Sequence, residues 1–173
     1  AQGDATGAYR RWNPSGRVTL IMPPCEVIGL GYCSWDYLGI LDHIPDFDAP
    51  TESMSDFAIS GGGPVATALS ALAHLGVRTG YIGALGGDEP GRSALAAFQQ
   101  EGIDTQRLRV QPGARSAVCF SLVQTKTAKR VILCYRGTTT PLQLDKRDRD
   151  YIAAAPFLHL DGHHMAAAIE AAR

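Results

Sequence analysis

Residues Ile59 to Gly102, ISGGGPVATALSALAHLGVRTGYIGALGGDEPGRSALAAFQQEG, spell a loop, a helix, a strand, a second loop and a second helix, and the rest of the chain is read around them. Gly61, Gly62 and Gly63 free the backbone, and Pro64 stands where a first helical residue can spare its N–H. The run Ala66 to Leu75 is rich in Ala and Leu, and Gly76 closes it. The first-turn N–H groups of a helix lack intrahelical partners, so a glycine-rich helix entry can bind a hydroxyl, carboxylate or phosphate oxygen by backbone alone. A tight strand-to-helix turn with no ligand explains the same residues equally well.

Two nucleotide-binding patterns come close and fail. GGDEPGRS, Gly86 to Ser93, has the spacing of a phosphate-cradling loop between the strand expected at Thr79 to Ala84 and the helix expected at Ser93 to Glu101. Asp88 and Glu89 would repel phosphate inside it, and Arg92 replaces the lysine that reaches the terminal phosphates. Both acids instead suit the positive end of the helix that follows. GLGYCSWD, from Gly29 to Asp36, lacks the third glycine of a dinucleotide fingerprint and runs into strand-like, proline-broken sequence.

Taken together, GGGPVATALSALAHLG, GYIGALGGDEPG and LAAFQQEGIDT resemble the first signature region of the PfkB, or ribokinase-like, carbohydrate kinases, and the similarity extends more loosely from Cys25 to the end. The resemblance implies an α/β, doubly wound, mostly parallel sheet with a small antiparallel β-lid, incomplete in this chain. It also implies ATP-dependent, Mg²⁺-assisted phosphorylation of a sugar or sugar-like hydroxyl, a homodimer paired through the lid, and acceptor contacts from Asp36, Gly62, Gly63, Thr67 and Asp161. Thr67 stands where most members carry Asn, so it lacks the second donor of an amide. The GGGPxATA form is similar to the variant in sulfofructose kinases. Arg136, ending RVILCYR, is a candidate for an anionic substrate group, and a solvated strand end explains it equally well. The DTxGAGD-type motif that holds the family's catalytic base and anion hole does not occur in these residues, so no catalytic residue is named and the chain alone is expected to be inactive and to bind no cofactor strongly. A non-catalytic sugar-binding or regulatory module that dimerises through its lid is the alternative.

The remaining sequence sets limits. A chain of 173 residues with 45% hydrophobic content can bury one core, and a net charge of -1 gives no basic face for nucleic acid. No apolar run approaches the ~20 residues of a membrane helix, so a soluble, cytoplasmic protein is expected. Residues 1–20 read as a flexible arm or vector remnant before an α/β region over 21–173. Lid strands are expected around 38–60 and 117–136, where apolar and polar residues alternate. Cys25 to Gly31 and Ala154 to Gly162 read as buried strands, and His163 to Arg173 begins a helix. His159, Asp161, His163 and His164 include too few convergent ligands for a metal, and the four cysteines read as reduced, buried thiols.

Overall fold

A computed structural model describes residues 9–12, 18–21, 23–46, 48–49 and 51–173. In chain order the strands are β1 (Tyr9–Trp12), β2 (Val18–Ile21), β3 (Val27–Leu30), β4 (Ser34–Leu41) and β5 (Asp56–Gly62); helix α1 (Pro64–His74) follows. Then come β6 (Thr79–Gly86), α2 (Glu89–Gln100), β7 (Leu108–Gln111), β8 (Val118–Gln124), β9 (Arg130–Tyr135), α3 (Lys146–Ala153), β10 (Phe157–Leu160) and α4 (Met165–Ala171).

The larger sheet has the order β10-β3-β6-β7 and is parallel throughout. Helices cover both faces, as parallel strands joined by crossovers require. On one face Val65, Ala66 and Leu69 of α1 and Ala94 and Phe98 of α2 pack with Tyr81 and Leu85. On the other, Ala167 and Ala168 of α4 join Leu142 and Leu144 against Ile28, Leu30 and Ile82. This is an α/β architecture of the doubly wound kind.

The second sheet has the order β5-β4-β8-β9. Its outer pairs are antiparallel and its central pair, β4 with β8, is parallel. The alternating segments near 38–60 and 117–136 are therefore one sheet, not two separate hairpins. A third, two-stranded sheet pairs β1 with β2, within the expected arm and one residue past it; the rest of residues 1–20 lies outside the described residues.

Three local readings change. Gly61 and Gly62 extend β5, and only Gly63 has a positive φ, of 101°. Helix α2 starts at Glu89, four residues before the expected Ser93, because Asp88 is its N-cap and accepts a bond from Gly91 N. Strand β10 is not buried: it lies at the sheet edge and Phe157 is 66% exposed. Helix α3 and strand β7 carry no apolar run long enough to announce them; α3 is held by a capping box between Asp145 and Asp148.

Candidate functional site

Strand register builds the site. Ser60 of β5 faces Asp36 of β4, Asp36 faces Cys119 of β8, and Cys119 faces Cys134 of β9. Side chains at directly paired positions share one face of a sheet, with neighbouring strands about 4.8 Å apart. Ser60, Asp36, Cys119 and Cys134 therefore form one polar row across the second sheet. The next row on the other face is Ile59, Tyr37, Phe120 and Leu133. Tyr37 stacks on Phe120 with ring centroids 5.2 Å apart, and Ile59, Phe120 and Leu133 are each about half exposed.

Asp36 and Gly62 are brought together. A Cβ added to Gly62 would come within 2.1 Å of Asp36 Oδ2, so the absence of a side chain there lets the carboxylate rest on the backbone of the glycine run. Ser34 Oγ donates to Asp36 Oδ1 at 2.6 Å, which fixes the carboxylate and leaves Oδ2 turned toward Gly62. Gly63 completes the turn with its Cα pressed to the chain before β4, where a Cβ would lie 2.4 Å from the Tyr32 carbonyl oxygen.

Asp161 follows β10 at the same edge, where open α/β sheets gather their ligands. Its carboxylate is engaged by backbone: Oδ2 accepts from Tyr32 N at 2.8 Å and from Val65 N at 3.4 Å, and Oδ1 accepts from His163 N at 2.9 Å. One of the free amides expected at the α1 entry is thus directed at an internal carboxylate. Asp161 ties together the loop after β3, the start of α1 and the loop before α4. Gly31 is the glycine this clamp demands, since a Cβ there would meet Asp161 Oδ2 at 2.5 Å.

Arg136 lines a cleft of ≈ 300 Å³ together with Tyr32, Ala117, Thr139, His163 and His164. His163 stacks on Tyr32 with centroids 4.6 Å apart. His164 caps α4 in the left-handed conformation, φ 54°; burial lowers its pKa, partly offset by Asp161, so the neutral ring is favoured. Thr67 faces a different groove, of ≈ 170 Å³, with Ser60, Gly61, Ser70 and Glu101, and Cys33 lines both. The six residues proposed from sequence therefore divide among a carboxylate seat at Asp36 and Gly62, a clamp at Asp161 and Gly63, and two flanking depressions.

Sequence reasoning missed Ser34, Tyr32 and the row partners Cys119 and Cys134. Alternation in AVCFSLVQT signalled which residues share a face, but only strand pairing shows what they face. The cysteines also need correction: Cys25, Cys33 and Cys119 are buried, whereas Cys134 is exposed. Burial pushes the Cys33 thiol up to about 12 and the Cys119 thiol up to about 11.

The GGDEPGRS turn is filled from within. Asp88 Oδ2 accepts from Ser116 N at 2.9 Å, and Asp88 Oδ1 accepts from Ser116 Oγ at 2.7 Å and Gly91 N at 3.2 Å. The Ser116 and Gly91 donors at this turn are thus taken by Asp88. Among the described residues no three His, Cys, Asp or Glu side chains form a metal-binding group, and no helix is long and apolar enough to cross a membrane.

Comparison with known proteins agrees with this fold. The profile for pfkB family carbohydrate kinases matches residues 27–172. An ATP-dependent ribose-1-phosphate kinase from Halopiger xanaduensis is 29% identical over 86% of this chain and 49% of its own length. A 5-dehydro-2-deoxygluconokinase from Geobacillus kaustophilus is 29% identical over 68% of the chain and 36% of its own. Among solved structures, Halothermothrix orenii fructokinase superposes with a TM-score of 0.69 at 22% identity, covering 84% of this chain and 51% of that one. Arabidopsis thaliana ribokinase, solved with ribose and ATP, gives 0.67 at 18%, covering 79% and 45%. The chain spans about half the length of the curated relatives it matches, or less.

Proposed function

Because this chain belongs to the pfkB family of carbohydrate kinases, we propose that it is the acceptor-binding part of an enzyme that phosphorylates a hydroxyl of a sugar or sugar-like molecule. The observation that carries the reading is the Asp36 carboxylate seated on Gly62, with one oxygen held by Ser34 and the other at the glycine turn. A carboxylate is acceptor-only at neutral pH, so it suits a ligand that presents several hydroxyl donors. Fixing such a ligand at two points orients one hydroxyl for reaction, and orientation supplies a large part of the rate enhancement in phosphoryl transfer.

In this reading Asp36, Gly62, Gly63 and Thr67 surround the acceptor. Asp161 shapes the turn through its backbone bonds, and Arg136 meets an anionic group of the substrate from the neighbouring cleft. The two relatives quoted above are named for a sugar phosphate and for a keto-sugar acid derivative, which favours a role for that cation. ATP with Mg²⁺ supplies the phosphoryl group in the complete enzyme. The GGDEPGRS turn does not fit a nucleotide, so none of its residues is assigned to one, and no general base is named. The exposed row of Ile59, Phe120 and Leu133 is proposed to pair with the same row of a second copy, and a cytoplasmic location suits four free thiols.

Calorimetric titration of the complete protein with ribose 1-phosphate, fructose and ATP tests the proposal. Asp36→Ala is expected to weaken sugar binding at least tenfold while ATP binding is retained. Unchanged sugar affinity in that variant removes Asp36 from the site. Sugar uptake by the complete protein with no nucleotide binding replaces the kinase reading with that of a binding module.

A further inference from the structure

We propose that Cys119 and Cys134 form a covalent modification site, an oxidisable dithiol that closes to a reversible cross-strand disulfide when the protein meets a hydroperoxide. The two residues are directly opposed on antiparallel strands β8 and β9. Opposed residues in such a pair have Cα atoms about 4.5 to 5.5 Å apart, inside the span a disulfide tolerates without backbone movement. Their side chains share the face that carries Asp36, because Cys119 is paired with Asp36 on one side and with Cys134 on the other. The pair is also asymmetric: Cys134 is exposed and Cys119 is buried. Reagent can reach one sulfur, and the second waits behind it.

That asymmetry assigns the steps. The Cys134 thiolate attacks the distal oxygen of the hydroperoxide; the O–O bond breaks, and the departing alkoxide takes up the thiol proton and leaves as alcohol. Cys134 then holds a sulfenic acid. The Cys119 sulfur attacks Cys134 Sγ, the S–O bond breaks, and hydroxide leaves as water with the Cys119 proton. Two electrons pass from the thiols to the peroxide. Burial keeps Cys119 mostly protonated, which suits a resolving thiol that acts only after its neighbour has been oxidised. Because Cys119 is the strand partner of Asp36, the bridge forms in the wall of the acceptor site.

The test reads mass alone and does not depend on the sugar assignment. The complete protein is treated with a small excess of hydrogen peroxide, alkylated, cut with trypsin without reductant and mapped. The expected product joins residues 116–126 to residues 131–136, lighter by two hydrogens than the sum of the two peptides, and a thiol reductant separates them. Cys134→Ser, a change at an exposed position, is expected to abolish the linked pair and to leave Cys119 in its thiol form under the same treatment. Cys134 recovered as sulfinic acid or joined to another protein molecule, with Cys119 still alkylated, overturns the proposal. So does Cys119 oxidising at the native rate in Cys134→Ser.

Discussion

Replacing Asp161 separates a structural clamp from a sugar ligand. Its carboxylate receives bonds from Tyr32 N at 2.8 Å and His163 N at 2.9 Å, and a longer one from Val65 N at 3.4 Å. Bonds to a charged group contribute about 1.5–3 kcal/mol each when fully formed. The two good bonds alone give an upper figure near 6 kcal/mol by that rule, but Asp161 is only half-buried, so water replaces part of what Ala removes. Asp161→Ala is therefore expected to lower the unfolding free energy of the protein by about 3 kcal/mol. Asp161→Asn keeps an oxygen for Tyr32 and Val65 and turns its NH₂ toward His163 N–H, a loss of about 1 kcal/mol. Urea denaturation followed by circular dichroism measures both, and the order Ala worse than Asn is part of the expectation. If Asp161→Ala unfolds within about 0.5 kcal/mol of the native protein, the size of an ordinary surface substitution, the clamp is refuted. A raised KM for the sugar in Asp161→Asn at unchanged stability would then make Asp161 a substrate ligand.

Three further outcomes are expected. Burial raises the Asp88 carboxyl, but bonds from Ser116 and Gly91 outweigh it and hold its folded pKa below the ordinary 3.8. That stability is present above the unfolded pKa and disappears as pH falls from about 4 through the folded value, so Asp88→Asn should flatten the acid limb of a thermal-shift profile. Asp148 is fully buried between Arg107 and Arg109 and closes the capping box of α3; Asp148→Ala leaves both arginines only their contacts with Asp145 and opens the box, and is expected to cost about 3 kcal/mol in denaturant titration. On the exposed lid face, Phe120→Lys with Leu133→Lys is expected to convert a dimer to a monomer in sedimentation velocity with little loss of stability. Unchanged sedimentation would refute pairing through that row.

Much of the fold was legible because its elements carry local signals. Pro64 at a helix entry, Gly76 at its end, the apolar run before Gly31 and the alternation in RVILCYR each depend on neighbouring residues, which sequence displays directly. Helix α3 was not legible: KRDRDYIA is strongly polar, and what holds it is the Asp145–Asp148 box together with Arg107 and Arg109 from the region of β7. The start of α2 was misplaced for a similar reason, since Asp88 acts as a cap while Ser116, 28 residues away in sequence, binds its carboxylate.

From sequence alone came the glycine turn and the helix and strand runs, because spacing along the chain encodes helix faces, strand faces and turns; the doubly wound core and the candidates Asp36 and Asp161 came from the resemblance of those runs to the PfkB family. Tertiary structure decided what those candidates touch. Strand register set Asp36 beside Ser60 and Cys119 and brought Cys119 against Cys134. Close backbone approach put Asp161 on three amides drawn from separate segments. Pairing between distant strands depends on how whole faces bury one another, a property of the assembled sheet that residue order does not state.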